Sequence, residues 1–503
     1  MQKALATIWV FGDQLNRSIG AVASAKPTTH RILIVESHRK IASRPWHIQR
    51  AHFLITSMRR FAIELQQAGF EVDYRRATTM RAGVEAHIAE FAPIHIFVSE
   101  PNSYTARQLV AALDVQVVKS NQFLCHPEDF AAFVAGKKSL KLEDFYRWQR
   151  KRFGYLMDSK NGDEPVGGKF NFDDENREPP PKTGHDRWPT PKVHTLDEID
   201  QQVLADLPKN LWGKKPDGLW ATTRKDALAR LKYFVDEILP TFGEHEDAML
   251  ESNWHLAHSL LSPYLNNGLL LPKEVLDAAA DAFAKGRVPI NSAEGFIRQI
   301  LGWREYIFNC YWRWMPEYAQ LNKLNAHRPL APLFTDPKKT KMKCVATVLN
   351  GINDRAYSHH IERLMVLGNF ALISGTDPQQ FTNWMWNSYI DAHEWVMVPN
   401  VLGMSLYADG GQLATKPYAS GGAYIDRMSN HCDGCAYDRK KRTGDDACPF
   451  TNLYWDFHMR HEKTFVRNPR IARQVRAAQK LSDIAEVQKT AKQILERLDR
   501  GLV

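Results

Sequence analysis

Ala6-Thr-Ile-Trp-Val-Phe11 decides the fold of the first part of the chain. It is a short, nearly unbroken apolar run, the pattern of a strand buried on both faces of a parallel sheet. Working outward, Arg31-Ile-Leu-Ile-Val-Glu36 and Ile94-His-Ile-Phe-Val-Ser99 repeat it. Between them Ile48 to Ala68 sets Phe53, Leu54, Met58, Phe61 and Leu65 at helical spacing on one side. This βαβ rhythm predicts an α/β domain, a doubly wound parallel sheet, over residues 1–135.

The loops after those strands are Gly12-Asp13-Gln14-Leu15, Glu36-Ser37-His38 and Glu100-Pro101-Asn102. All three place polar residues at the carboxyl edge, where open α/β sheets bind ligands. No G-x-G-x-x-G follows the first strand, which argues against an ordinary dinucleotide site. A flat heterocycle held by carboxylates and amides is expected there, helix capping by Asp13 and Glu36 being the plainer alternative.

Periodicity fades between Gly154 and Asp217, where Pro165-Val-Gly-Gly-Lys-Phe-Asn-Phe-Asp-Asp-Glu-Asn-Arg177 and Pro179-Pro-Pro181 lie. So long a loop is functional or a linker, and residues 136–220 are read as a connecting helix and interdomain loop. From Thr222 helix patterns dominate, with starts at Ala221-Thr-Thr-Arg, at Ser292, and near Val345, Asp354, Pro378 and Ile471. Residues 221–503 are expected to form a large all-α domain.

The 503 residues carry a formal charge of +9 with 14 tryptophans. That balance suits a polyanionic partner, and the aromatics suit flat ligands or base stacking. No apolar run approaches the roughly 18 residues of a membrane span, and no secretory signal opens the chain, so a soluble cytoplasmic protein is expected. A helicase or primase-like reading lacks the G-x-x-x-x-G-K-S/T loop that nucleotide binding needs.

Cys432-Asp-Gly-Cys435, then Cys448-Pro449, with Cys344 upstream, can bring four thiolates to one centre. A proline after the last cysteine and one distant ligand suit a 4Fe-4S cluster, and a structural zinc site is the alternative. Cys125 and Cys310 read as packed thiols. His258-Ser-Leu-Leu-Ser262 stands just before a helix and offers a cradle for a pyrophosphate. Gln299 and Trp303 lie one turn apart with Arg304 beside them, and His359, His360 and Arg363 are grouped in the same way.

In these segments, together with Phe11-Gly-Asp-Gln-Leu15, Pro165-Val-Gly-Gly-Lys-Phe-Asn-Phe172, Gly295 to Tyr306, His359 to Met365 and Glu394 to Met404, the chain resembles the cryptochrome/photolyase superfamily. In detail it resembles the iron-sulfur bacterial branch, which includes prokaryotic (6-4) photolyases. The motifs run in order through nearly the whole chain.

The resemblance implies an antenna domain holding 6,7-dimethyl-8-ribityllumazine, with Asp13, Gln14 and Glu36 in its pocket. It implies a helical domain holding FAD, and a 4Fe-4S cluster on Cys344, Cys432, Cys435 and Cys448. FAD would contact His258, Ser259, Leu260, Leu261 and Ser262, Gln299, Trp303 and Arg304, and Asn400 at flavin N5. Arg363 would pair with Asp391 or Glu394 beside the flavin ring. His359 and His360 map to the repair histidines, His360 being the proton donor, and Trp384 and Trp386 are candidates for electron transfer.

The implied reaction is light-driven repair of a (6-4) photoproduct flipped out of ultraviolet-damaged DNA, by a monomer in the bacterial nucleoid. The alternative is a cryptochrome-like photoreceptor with the same cofactors and no repair. Two departures from the family pattern stand out. Phe334-Thr-Asp-Pro-Lys-Lys-Thr-Lys-Met-Lys-Cys344 lacks a tryptophan that members can carry before the first cluster cysteine, and Met397 stands where a carboxylate can occur.

Overall fold

A computed structural model describes residues 5–158 and 162–503. Residues 1–4 of the expected first domain and 159–161 of the expected interdomain loop lie outside the described residues. Five parallel strands, β1 (Ala6–Val10), β2 (His30–Ser37), β3 (Glu71–Ala77), β4 (Ile96–Ser99) and β5 (Gln116–Val118), form one sheet in the order β3-β2-β1-β4-β5. Ile8, Trp9 and Val10 and the run Ile32 to Val35 are buried, as their continuous apolar character requires. The chain order reverses between β1 and β4, which opens a crevice at their carboxyl ends.

β3 and β5 escape the sequence pattern because both are edges. Glu-Val-Asp-Tyr-Arg-Arg-Ala mixes charge into every second or third position, and Gln116 and Val117 are exposed. Ile94 precedes β4 and is 60% exposed, so the expected third strand begins two residues late. The Ile48–Gln67 helix buries Phe53, Met58, Phe61 and Leu65 against the sheet, as its spacing predicts.

The remainder is helical, and among the described residues no helix is long and apolar enough to cross a membrane. Thr223 caps the Arg224–Tyr233 helix, its Oγ1 accepting from Asp226 N. Asp377 caps Pro378–Ser388 in the same way. The start expected near Asp354 is instead the end of the Lys343–Arg355 helix, closed by Ala356 at φ 53°. Helical structure resumes at His360.

The stretch from Gly154 to Asp217 is a docked strap that includes a Glu198–Asp206 helix. Trp188 is buried, with Nε1 donating to Thr241 Oγ1 at 3.0 Å. Phe172 N donates to Glu294 Oε2 at 3.0 Å, and Asp173 pairs with Arg298. Arg60 on the first-domain helix holds Asp197 at 2.9 Å and Asp200 at 2.7 Å. Between the sheet domain and the helices, buried Glu305 accepts from Leu124 N at 2.7 Å and Cys125 N at 2.8 Å while pairing with Arg304 at 2.9 Å.

The strap closes on Gly218, at φ +88°, where a Cβ would stand 1.8 Å from His194 O. The His194 N to Gly218 O hydrogen bond at 2.8 Å fixes that approach. Gly218→Ala is therefore expected to destabilise the protein by about 1–3 kcal/mol through clash and left-handed strain. A lowered midpoint in urea or thermal unfolding checks it, and an unchanged midpoint contradicts it.

Candidate functional site

A cavity of about 300 Å³ opens among the carboxy-terminal helices. One wall is the turn His258–Leu261, with Leu260 at φ 57°, leading into the short Ser262–Asn266 helix. The other walls are long helices, each containing a π-helical stretch: Arg298–Arg304, Glu362–Gly368 and Pro399–Ser405. A π turn widens the helix locally, a feature that recurs at functional sites. Gln299, Ile300, Trp303 and Arg304 reach the cavity from the first stretch, Arg363 from the second, and Asn400 and Met404 from the third.

The charges are arranged around one ion pair. Arg363 grips Asp391 with two hydrogen bonds, at 3.0 and 3.1 Å, and its Nε donates to Ser358 O at 2.7 Å. Ser262 Oγ donates to Asp391 Oδ2 at 2.7 Å, and Asn266 Nδ2 to Asp391 O at 2.8 Å. Burial alone would raise the Asp391 carboxyl, but Arg363 and Ser262 hold it below the usual carboxylate range. The guanidinium lies 4.0 Å from the Tyr389 ring centroid. The result is a fixed cation at the cavity wall.

Other groups are pushed toward neutrality. Burial, with His360 and His255 nearby, drives His258 down to about 3. His360, exposed on its cavity side, is pushed to about 4 by the surrounding protein and then by Arg363. Across the cavity, burial raises Glu246 to about 8 and Asp247 to about 6. His258 Nε2 and Glu246 Oε2 are buried without a protein partner. A ligand with donors and acceptors of its own would satisfy them. The turn, the fixed cation and these unpaired atoms fit a flavin dinucleotide.

Of the expected cofactor residues, His258, Ser259, Leu260, Ser262, Gln299, Trp303, Arg304, Arg363, Asp391 and Asn400 line this cavity, with His360. Leu261 does not, being buried beneath the turn. Glu394 is turned to a different cavity, so the partner of Arg363 is Asp391. His359 lies behind the wall, 1% exposed, its ring stacked on His258 with centroids 4.2 Å apart. Trp384 packs on Phe334 and Phe381, and Trp386 faces the other cavity. Glu246, Asp247, Tyr357 and Trp395 also line the site. No local motif marks them, since they lie on loops and helix ends joined only by the tertiary fold.

That other cavity, about 360 Å³, sits at the carboxyl ends of β1, β2 and β4 and is completed by Trp386, His393 and Glu394. Asp13 lies in it, raised to about 6 by burial despite a 3.1 Å hydrogen bond from Asn102 Nδ2. Glu36 borders it, but its carboxylate is taken up by Arg59 at 3.0 Å and by the Tyr74 hydroxyl at 2.7 Å. Gln14 turns away, its Nε2 donating to Glu100 O at 2.8 Å. Arg50, over the Trp46 ring at 4.2 Å, and Lys40 supply positive charge. Trp386 Nε1 and Glu394 Oε2 are buried and unpaired, so the donors present suit a polar, flat ring system.

Cys344, Cys432, Cys435 and Cys448 border one small cavity of about 20 Å³, with His431 beside them. Among the described residues no three His, Cys, Asp or Glu side chains converge closely enough to hold a single metal ion. Burial, then the neighbouring thiols, raises Cys344 well above the usual thiol range, so it needs positive charge to ionise. A Cβ on Gly422 would stand 3.0 Å from Cys448 Sγ, so a glycine keeps that side of the cradle open. Cys125 and Cys310 are buried thiols of the core.

Residues 8–214 match the model of the deoxyribodipyrimidine photo-lyase-related proteins. A (6-4) photolyase of Agrobacterium fabrum is 42% identical over 482 residues, covering 92% of this chain and 94% of the relative. A bacterial class III photolyase from Agrobacterium tumefaciens shares the fold with a TM-score of 0.59 at 17% identity, over 97% of this chain and 99% of that one. A Synechocystis cryptochrome does so with a TM-score of 0.57 at 15% identity, over 96% and 100%. With a relative this similar along almost its whole length, the chain belongs to the photolyase-related proteins.

Proposed function

We propose that the protein is a (6-4) DNA photolyase, repairing (6-4) pyrimidine-pyrimidone photoproducts under blue light. The observation that carries the reading is His360 lining a cavity whose wall is the Arg363–Asp391 pair, in a chain 42% identical to a (6-4) photolyase. In this reading residues 1–135 are the antenna domain, 136–220 the connecting segment and 221–503 the catalytic domain. The protein acts as a monomer on DNA in the nucleoid.

FAD, bound in the cavity in its reduced form, supplies the photoexcited electron that repair needs. The residues around it bind, orient and balance charge. Arg363, held by Asp391, offers a cation for a reduced, anionic ring. The Ser259–Ser262 turn and the amides of the following helix take up the diphosphate, and Asn400 faces the ring edge. Trp303 and Gln299 border the space left for a flipped nucleotide, whose weakened stacking lowers the cost of extrusion. His360 holds the proton needed to move a hydroxyl between the two bases. Lys and Arg contacts to phosphates supply most of the binding, so affinity falls steeply with salt.

The second cavity is assigned to 6,7-dimethyl-8-ribityllumazine, with Asp13, Arg50 and Glu394 reading the ring and Trp386 flanking it. The four cysteines are assigned to a 4Fe-4S cluster. Thiols that ring a cavity, without meeting at a point, suit a cube of several irons better than one tetrahedral zinc.

Under blue light the flavin-loaded protein is expected to restore an oligonucleotide bearing a (6-4) photoproduct and to leave a cyclobutane dimer largely untouched. His360→Ala should lower that rate by about 10²-fold or more, the range of a lost general acid. Recovery of neither substrate would move the assignment to a photoreceptor. Elemental analysis should give about four irons per chain, with broad absorption near roughly 400 nm. Cys435→Ala should lose both, and zinc in place of iron would overturn the cluster assignment.

A further inference from the structure

His360 is expected to donate a proton, yet protein burial and the Arg363 cation both disfavour its charged form. A donor held neutral needs a source. Directly behind the cavity wall lies a buried carboxyl that the repair scheme does not use. Glu362 is 6% exposed and sits between Arg355 and Arg363. Its Oε2 accepts from the backbone N of His359 at 3.3 Å, and its Oε1 lies 3.7 Å from His359 Nε2.

His359 itself is 1% exposed, and neither of its ring nitrogens has a partner. An unpaired imidazole beside a carboxyl in a water-poor interior is a costly arrangement unless a proton is shared between them. The ring stacks on His258 at 4.2 Å with an interplanar angle of 13°. His258 and His360 both open onto the cavity. The store and the lesion-facing rings are therefore separated by one layer of imidazole.

We propose that Glu362 is a positioning residue for the proton chemistry, holding with His359 one shared proton behind the cavity wall, from which the lesion-facing histidines are recharged. This rests on the repair reading above. In the step, the Oε–H bond of Glu362 breaks and an N–H bond forms on His359, leaving a carboxylate beside an imidazolium. The proton spent at the lesion returns when the two pyrimidines are restored, so the pair is not consumed. His258, His360, His431 and Arg363 face His359, and Arg355, Arg363, Tyr357 and Tyr389 face Glu362. Burial outweighs the arginines and raises Glu362 to about 8, so at neutral pH the pair keeps its proton and above that range loses it.

The plain alternative is that Glu362 only caps the helix that starts at His360, as a glutamate three residues on commonly does. Glu362→Gln separates the two, because glutamine preserves the cap and cannot hold the proton. In the flavoprotein, infrared spectroscopy should show a protonated-carboxyl band that disappears as pH rises through about 8 and is missing in Glu362→Gln. Repair of the (6-4) oligonucleotide should fall over the same range in the unsubstituted protein. Glu362→Gln should repair about tenfold more slowly at neutral pH without that alkaline limb.

Flavin absorbance and the unfolding midpoint of Glu362→Gln should be unchanged, while Glu362→Ala, which also removes the cap, is expected to lower the midpoint. A Glu362→Gln protein with the band, pH profile and repair rate of the unsubstituted protein overturns the inference. If the unsubstituted protein shows the titrating band but repairs no (6-4) lesion, the repair reading falls and the role as its proton store falls with it, while the shared proton stands as measured.

Discussion

The Arg363–Asp391 pair is the interaction on which the cavity depends. A guanidinium taken out of water needs a matched anion, and removing one partner of such a pair costs about 3–5 kcal/mol. Here the anion is fixed in turn by Ser262 Oγ at 2.7 Å, and its backbone carbonyl by Asn266 at 2.8 Å. One carboxylate thus fastens the turn that forms one wall to the π-helical stretch that forms another. The site is pre-organised before any ligand enters, the condition under which a fixed charge acts most strongly.

The same short segment also separates the two large cavities. Asp391, Trp395 and Val396 face the carboxy-terminal one, while His393 and Glu394 face the one at the sheet edge. Arg50 of the sheet domain donates to Ala392 O between them. Movement of the sheet domain relative to the helices would strain both cavities together. Glu305 and the strap resist it by carrying buried polar contacts across the boundary.

What the sequence makes legible follows from how local its causes are. β1, β2 and the Ile48–Gln67 helix announce themselves because burial on one or both faces writes a period into the residues. The edge strands β3 and β5 do not, since solvent tolerates charge there. His258–Ser262, Gln299, Trp303 and Arg363 are placed in one cavity by neighbours in sequence. The choice between Asp391 and Glu394 could not be read that way, because three residues turn the side chain from one cavity to the other. Glu246 and Asp247 lie on a turn without periodicity and meet Arg363 only through the tertiary fold.

The electrostatics of the carboxy-terminal cavity are lopsided for a physical reason. The guanidiniums remain charged in a desolvated site because Asp391 and Glu305 are each given to one of them. The acids and imidazoles without a full partner, Glu246, Glu362, His258 and His360, are driven toward their neutral forms. A cavity with fixed cations and neutral, proton-bearing groups stabilises negative charge that arrives with light, and keeps protons within reach of it. An ionised Glu246 would oppose that charge. Its burial, which has no evident packing benefit, keeps the opposition low around neutral pH.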